Sequence, residues 1–274
     1  MSDTLQLDKR QRAMLAEMGV RVWTPIEAVA PVKEASESLA SVAVKPSSFE
    51  VNTQTANNLD WPNLREAVAN CQACGLCTSR RNTVFGSGSH VPNSDTNKET
   101  QPVDWLIVGE APGENEDAEG EPFVGQAGQL LDNMLRAMQL SRTGELSRTG
   151  ELSSASKSQQ SIFITNVLKC RPPGNRNPAP EEVAQCMPYL QRQIALLQPK
   201  IILAMGRFAA QALLRDSIDK VDTIPLGKLR GQVHLMGNTP VVVTYHPAYV
   251  MRNLPEKAKL WADACLAMAT LNQP

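Results

Sequence analysis

The sequence lacks any apolar run near the roughly 20 residues that a membrane-spanning helix needs, so we expect no membrane segment. The N-terminal stretch MSDTLQLDKRQR lacks the apolar core of a secretory signal peptide, which predicts a cytoplasmic protein. The chain also lacks a strong net charge, which is only −1 at pH 7. No overall positive field therefore indicates a nucleic-acid partner, and any DNA contact must come from a local basic patch.

The chain further lacks the G-x-G-x-x-G fingerprint of dinucleotide-binding proteins after its first predicted strand. The corresponding stretch, 109–113, reads GEAPG and places an acid and a proline where a pyrophosphate would lie. Because an acidic loop repels phosphate, a small-molecule enzyme on a dinucleotide-binding sheet is disfavoured.

The cysteines are more typical of metal ligands or free thiols than of disulfides, because disulfides are rare in a reducing compartment. Cys71 and Cys74 form a C-x-x-C pair that Cys77 extends, and Cys170 and Cys186 form a second, looser pair. Two such pairs can close a Cys₄ site. The spacing leaves zinc and an iron–sulfur cluster open, and the loose second pair favours a [4Fe–4S] cluster.

Four short apolar stretches alternate with helical patterns and predict the strands of a parallel sheet in an α/β fold. The stretches are 106–108, 162–165, 201–204 and 241–244. Glu110, Asn166, Arg207 and His246 lie just beyond their ends. Ligands bind beyond the carboxyl ends of parallel strands, so we predict a functional site where these side chains gather.

The N-terminal part of the chain has a different character. Residues 1–23 predict an amphipathic helix that ends in Trp23, either a docking peptide for a replication or repair protein or a helix packed on the domain's own surface. Residues 24–58 have no periodicity and predict a disordered linker. Residues 140–151 repeat LSRTGE twice, which we interpret as a loop expansion without chemistry.

Three stretches resemble the family 4 uracil-DNA glycosylases, bacterial and archaeal enzymes that carry an iron–sulfur cluster. They are GEAPGENEDAEGEPFVGQAGQLL, TNVLKCRPPGNRNPAPEEVAQC and YHPAYVMR, and the likeness runs in order over about residues 60–270. The resemblance implies a catalytic domain over 59–274, built as a three-layer αβα sandwich with a central four-stranded parallel sheet. It also implies a [4Fe–4S] cluster with Cys71, Cys74, Cys170 and Cys186 as ligands, and Cys77 in reserve.

The resemblance implies a base excision repair enzyme that flips uracil out of single- or double-stranded DNA and hydrolyses its N-glycosidic bond, leaving an abasic site. Phe123 would stack on the flipped base, and Asn166 would read O4 and N3–H of uracil. His246 would donate a hydrogen bond to O2 and stabilise the departing uracil anion. Glu110 or Glu116 would position the water, and the sequence does not separate these two acids.

The resemblance also implies how DNA is held. Val250 or Met251 would act as an apolar wedge in the minor groove, and Arg252 would meet a phosphate. Backbone N–H groups near Ala111 would assist at the base. The local basic patch would consist of Lys169, Arg171, Arg176 and Arg207.

One alternative stays open from the sequence. A non-catalytic iron–sulfur DNA-binding protein of the same fold could serve a repair or replication complex, and the docking-like peptide motivates this hypothesis. The presence of Asn166, His246 and both acids argues against it. We expect the protein to be a monomer.

Overall fold

A computed structural model of the chain describes residues 56–88, 102–142 and 160–272. The predicted docking peptide, most of the predicted linker and most of the tandem repeat lie outside the described residues, so these interpretations stay predictions. No helix within the described ranges is long and apolar enough to cross a membrane.

A mixed, six-stranded sheet forms the centre of the described structure. Its strands are β1 (Ser87–Gly88), β2 (Trp105–Gly109), β3 (Ile162–Asn166), β4 (Ile201–Met205), β5 (Val233–Met236) and β6 (Thr239–Thr244). They lie in the order β1-β3-β2-β4-β6-β5. Neighbouring strands pair in parallel from β3 to β6, whereas β1 and β5 pair antiparallel at the two edges.

The α/β class predicted from the sequence is confirmed, but the sheet is mixed and has six strands instead of four. The sequence did not indicate the two edge strands. β1 has only two residues, and β5 has no buried apolar run because its residues are exposed or half-buried in alternation.

Helices lie before, between and after the strands. They are α1 (Trp61–Ala69), α2 (Glu114–Glu119), α3 (Gln126–Ala137), α4 (Pro180–Leu197), α5 (Arg207–Leu214), α6 (Leu226–Leu229), α7 (Pro247–Arg252) and α8 (Lys257–Leu271). The start of α4 shows why the local sequence is helical. Pro180 occupies the first turn, and the Glu182 carboxylate accepts the backbone N–H of Ala179 at 2.8 Å.

Two apolar cores form on the two faces of the sheet, because successive residues of a strand point to opposite faces. Leu106 and Val108 of β2 join a core with α1, α4 and α5. Trp105 and Ile107 join a second core with α3 and α8. Helices therefore cover both faces of the sheet.

Parallel pairing aligns the carboxyl ends of the central strands. Gly109 at the end of β2 lies opposite Asn166 at the end of β3. Met205 at the end of β4 lies opposite Thr244 at the end of β6. The segments that follow these four strands therefore leave the sheet side by side.

The stretch after β6 forms the short helix α7. Pro247 occupies its first turn, where a fixed φ favours a helix. The His246 side chain accepts the Ala248 N–H at 3.2 Å and so caps this helix.

Candidate active site

A cavity of about 630 Å³ opens at the carboxyl edge of the sheet. The residues that the sequence predicted from the strand ends all line it: Glu110, Asn166, Arg207 and His246. Ala111, Glu116 and Phe123, which come from the segment after β2, line it as well. The parallel topology thus brings together side chains that are up to 136 positions apart in the chain, from Glu110 to His246.

Asn166 presents an unpaired oxygen in this cavity. The residue is buried, and its Oδ1 has no hydrogen-bond partner among the described residues. A buried polar atom without a partner costs about 1–3 kcal/mol. Asn166 therefore offers a strong acceptor for an N–H group of a ligand.

Gly109 permits this arrangement. A Cβ at this position would collide with Asn166 Oδ1 and lie 2.5 Å from Phe123 Cζ. Only glycine leaves room for both the amide and the phenyl ring at the end of β2. The missing side chain of Gly109 therefore lets these two lining residues of the cavity meet.

Phe123 is held in an unusual backbone conformation. Its φ is 56°, in the left-handed region that non-glycine residues rarely occupy. The buried ring stacks beside the His246 ring, with 5.5 Å between the centroids and 29° between the planes. The surrounding contacts must therefore hold the backbone in place.

Arg142 supplies those contacts. Its Nη1 donates to the carbonyl of Pro122 at 2.6 Å, and its Nη2 donates to the carbonyl of Phe123 at 2.8 Å. The Asp132 carboxylate orients the guanidinium through Nε at 2.5 Å. Arg142 belongs to the first copy of LSRTGE, so one residue of the stretch interpreted as a loop expansion without chemistry has a structural role beside the cavity. The repetition itself concealed it, and no local signal in the sequence singles it out.

His246 is a neutral hydrogen-bond donor. Because its Nδ1 accepts the Ala248 N–H, the proton of the neutral ring lies on Nε2. Burial and, to a smaller extent, the positive charge of Arg252 together lower the pKa of His246 to about 4, while Glu116 acts in the opposite direction. The ring is therefore uncharged at neutral pH and can donate from Nε2.

The two acids that the sequence did not separate have different surroundings. Glu116 accepts three backbone N–H groups, those of Gly113, Val124 and Gly125, each at 3.0 Å. Its carboxylate thus ties the two ends of the loop around α2 together. Burial raises the pKa of Glu110 to about 7, with Arg207 opposing that shift. No hydrogen bond to another described residue fixes the Glu110 carboxyl group.

The predicted basic residues fall into two groups. Lys169 is buried, and its Nζ donates to Thr165 Oγ1, the Asn166 carbonyl and Gln193 Oε1 at 2.6–2.7 Å. Its prediction as a DNA-contacting cation is therefore wrong. Arg176 and Arg207 line the cavity, and Arg176 also pairs with Glu182 at 2.6 Å.

The remaining predicted DNA contacts are placed as follows. Arg171 lies 3.5 Å from Glu114 and donates to Asn175 at 2.8 Å. Val250 is 0% exposed and packs in the core, so it cannot act as a wedge. Met251 is 36% exposed, and Arg252 lines the cavity.

Five cysteines line one recess on the α1 and α4 side of the sheet: Cys71, Cys74, Cys77, Cys170 and Cys186. All are free thiols. Arg80 Nη1 donates to Cys170 Sγ at 3.1 Å, and Lys169 lines the same recess. Burial raises the pKa of Cys186 to about 12, so a thiolate there needs a cation or a metal for stability.

The recess does not have the geometry of a single-ion site. Within the described residues, no three His, Cys, Asp or Glu side chains are arranged to hold one metal ion. The residue types nevertheless fit a thiolate-ligated metal group, since the five thiols come from both predicted pairs and two cations stand beside them.

Comparison with known proteins adds an independent finding. Residues 98–267 match the uracil DNA glycosylase superfamily. The chain is 36% identical to the Type-4 uracil-DNA glycosylase of Saccharolobus solfataricus, over 76% of this chain and 83% of that protein. It is 39% identical to that of Pyrobaculum aerophilum, over 76% and 93%. It is 36% identical to that of Thermotoga maritima, over 69% and 81%.

We predict that Arg142→Ala lowers the free energy of unfolding by about 1–3 kcal/mol, because it removes hydrogen bonds from a charged group and leaves two carbonyls unpaired. Urea denaturation measures this loss. Arg136→Ala is the matched control, since Arg136 is exposed and its Nη1 donates to exposed Asn133 at 2.8 Å, so the loss should stay within about 0.5 kcal/mol. Equal losses for the two variants would contradict the role of Arg142.

Proposed function

This chain belongs to the uracil-DNA glycosylase superfamily and hydrolyses the N-glycosyl bond of uracil in DNA, and we propose that the cavity at the carboxyl edge of the sheet performs that reaction. The observation that carries the assignment is the buried, unpaired Oδ1 of Asn166. It lies next to Phe123 and lines the cavity together with His246. The reaction leaves an abasic site, as base excision repair requires.

Base identity would be read by Asn166. Uracil presents N3–H as a donor and O4 as an acceptor, which match the Oδ1 and Nδ2 of the amide. Cytosine presents an acceptor and a donor at the same two positions, so both contacts would be lost. Phe123 would stack on the ring, an interaction that is tolerant of base identity.

The departing base would be stabilised by His246. Cleavage of the glycosidic bond leaves negative charge on uracil, part of it at O2. The Nε2–H of the neutral imidazole would donate a hydrogen bond to that oxygen. A half-buried, preoriented donor is suited to this role because it needs no reorganisation when the charge appears.

The water would be positioned by Glu110. Its carboxyl group lines the cavity and is not tied up by backbone donors, unlike that of Glu116. As a carboxylate, Glu110 would also offset the positive charge that develops on the sugar. Glu116 would instead keep the loop in shape, and Ala111 would line the base pocket beside Glu110.

The non-catalytic DNA-binding alternative is not favoured. The relatives at 36–39% identity are named as uracil-DNA glycosylases. The cavity also contains a donor, an acceptor, an aromatic ring and a free acid in one place.

The cofactor in our proposal is a [4Fe–4S] cluster, with Cys71, Cys74, Cys170 and Cys186 as ligands and Cys77 in reserve. Each thiolate of such a cluster binds its own iron, so the ligands need not converge on one point as they do around zinc. This spread suits a recess without a single-ion geometry. When bound, the cluster supplies a coordinative cross-link between the segments 71–74 and 170–186. Arg80 would offset its negative charge.

DNA would lie across the mouth of the cavity. Arg171, Arg176 and Arg252 would meet phosphates, and Met251 would serve as the wedge in place of buried Val250. We retain the monomer and the docking role of residues 1–23 as proposals. A set of reduced cysteines suits a reducing compartment, which supports a cytoplasmic location.

We predict that Asn166→Ala lowers kcat/KM for uracil release by at least about 30-fold, because two hydrogen bonds of about 1–3 kcal/mol each are lost. Release is measured from a single-stranded oligonucleotide by alkaline cleavage of the abasic product. The control is Asn133→Ala, an exposed residue of α3, which should keep wild-type activity. Wild-type rates from Asn166→Ala would refute the assignment of the base pocket.

The pH dependence of kcat/KM should report Glu110. Its raised pKa means that the carboxylate forms only as the pH rises through about 7, so activity should fall about tenfold per pH unit below that value. His246, whose pKa is lowered to about 4, stays neutral over this range. In Glu110→Gln the slope should disappear along with most of the activity. A slope that persists in this variant would assign it to another group.

Removal of a proposed ligand should abolish the cluster. We expect iron and acid-labile sulfide in the wild-type protein purified without oxygen, and background levels of both in Cys170→Ser. Cys265→Ser, outside the recess, should keep the full content, and so should Cys77→Ser. Zinc in place of iron in the wild-type protein would reject the cluster.

A further inference from the structure

The cavity is larger than the proposed uracil site needs. Its volume of about 630 Å³ is typical of pockets for drug-sized ligands, whereas uracil is a single six-membered ring. Phe123, Asn166 and His246, the residues proposed to hold uracil, are part of its lining. The remaining wall is rich in aromatic and cationic side chains: Arg207, Phe208, Tyr245, Tyr249 and Arg252.

Tyr245 and Tyr249 form a paired aromatic surface in that wall. Their ring centroids are 5.0 Å apart and the planes are tilted by 37°. Tyr245 directly precedes His246 in the sequence and Tyr249 follows it by three residues, and all three line the same cavity. Tyr249 is 39% exposed, which leaves much of its ring open for a further contact.

The Tyr245 ring is held in place by Arg230. The Arg230 guanidinium lies 4.8 Å from the centroid of the Tyr245 ring. Arg230 is in turn held by Asp263, a buried carboxylate at 2.7 Å that also accepts a hydrogen bond from Thr244. The pair is therefore preorganised, and a ring that stacks on it would not have to order it first.

We propose that Tyr245 and Tyr249 form a second base-binding subsite, which takes the nucleobase directly next to the extruded uracil in the same strand. The inference rests on the uracil pocket proposed above. A base attached to the neighbouring sugar is the ring closest to the extruded uracil along the strand, and the two tyrosines line the same cavity as Asn166. Arg252, which lines the same cavity, would hold the intervening phosphate.

The chemistry of the surface agrees with this ligand. Aromatic side chains stack on any base, and stacking contributes about 1–3 kcal/mol per base. The neighbour must leave its own stack to reach the subsite, which is easier in a single strand than in a duplex. Purines offer the larger face, so uracil next to a purine in single-stranded DNA should be the preferred substrate.

The test removes the neighbouring base and the tyrosine ring separately. Single-stranded oligonucleotides carry uracil with intact purines on both sides, or with an abasic analogue on the 5′ or the 3′ side. The wild type is compared with Tyr249→Ala and Tyr249→Phe. Trp261→Ala is the matched control, because Trp261 is 41% exposed and lies outside the cavity lining.

On one of the two sides, the abasic analogue should lower the wild-type kcat/KM by about 5- to 100-fold, the range that stacking of one base supports. Tyr249→Ala should show a similar loss on the intact substrate and no further loss with that analogue. It should also match the wild type on the analogue substrate, which shows that the variant is folded. Trp261→Ala should behave as the wild type, and Tyr249→Phe, which keeps the aromatic ring, should keep the loss caused by that analogue.

Three results would overturn the subsite. The first is a wild-type kcat/KM that neither abasic analogue changes. The second is a Tyr249→Ala variant that loses as much kcat/KM with the analogue as the wild type does. The third is a Tyr249→Ala variant that is far slower than the wild type on every substrate. If the wild type released no uracil from any of these substrates, the uracil pocket itself would fail, and the subsite with it.

Discussion

The packing of Phe123 and Asn166 around Gly109 is the constraint on which the rest of the site depends. Gly109 leaves no room for a Cβ, so the amide and the phenyl ring meet at the end of β2. This packing requires a left-handed backbone conformation at Phe123 and leaves the buried Asn166 Oδ1 without a hydrogen-bond partner among the described residues. Arg142 supports the Phe123 backbone by donating to the carbonyls of Pro122 and Phe123, and the substrate would provide a donor for the Asn166 oxygen. A strained backbone next to an unpaired hydrogen-bond acceptor is typical of a binding site.

A buried lysine links the base pocket to the cysteine recess. Lys169 donates to the backbone of Asn166 and lies next to Cys170 in the chain. Gln193 on α4, which accepts from the same ammonium group at 2.7 Å, also donates to the Phe85 carbonyl at 2.9 Å. The segment that would read the base and the segment that would bind iron are therefore one short, hydrogen-bonded unit. A cluster at this position would stabilise the base pocket without taking part in the chemistry.

The site separates its titratable groups by their surroundings. Burial keeps His246 neutral and raises the pKa of Glu110 to about 7, while three backbone donors occupy Glu116. Both acids line the cavity, but backbone donors hold Glu116 whereas no described residue donates a hydrogen bond to the Glu110 carboxyl group. Such divergence between neighbouring groups lets two carboxyl groups of one loop differ in their properties at the same pH.

The sequence by itself determined the α/β class, the four central strands and the placement of functional residues at their carboxyl ends, because these follow from local apolar patterns and chain order. It could not distinguish Glu110 from Glu116, since their hydrogen-bond partners come from the folded loop. It placed Lys169 and Val250 at the DNA surface, and both are buried because residues far along the chain cover them. Only the tertiary structure identified Arg142, whose role depends on two carbonyls that folding brings within its reach. The burial of a side chain and its hydrogen-bond partners depend on the whole folded chain, whereas the apolar periodicity of a helix or strand is already present in its own local sequence.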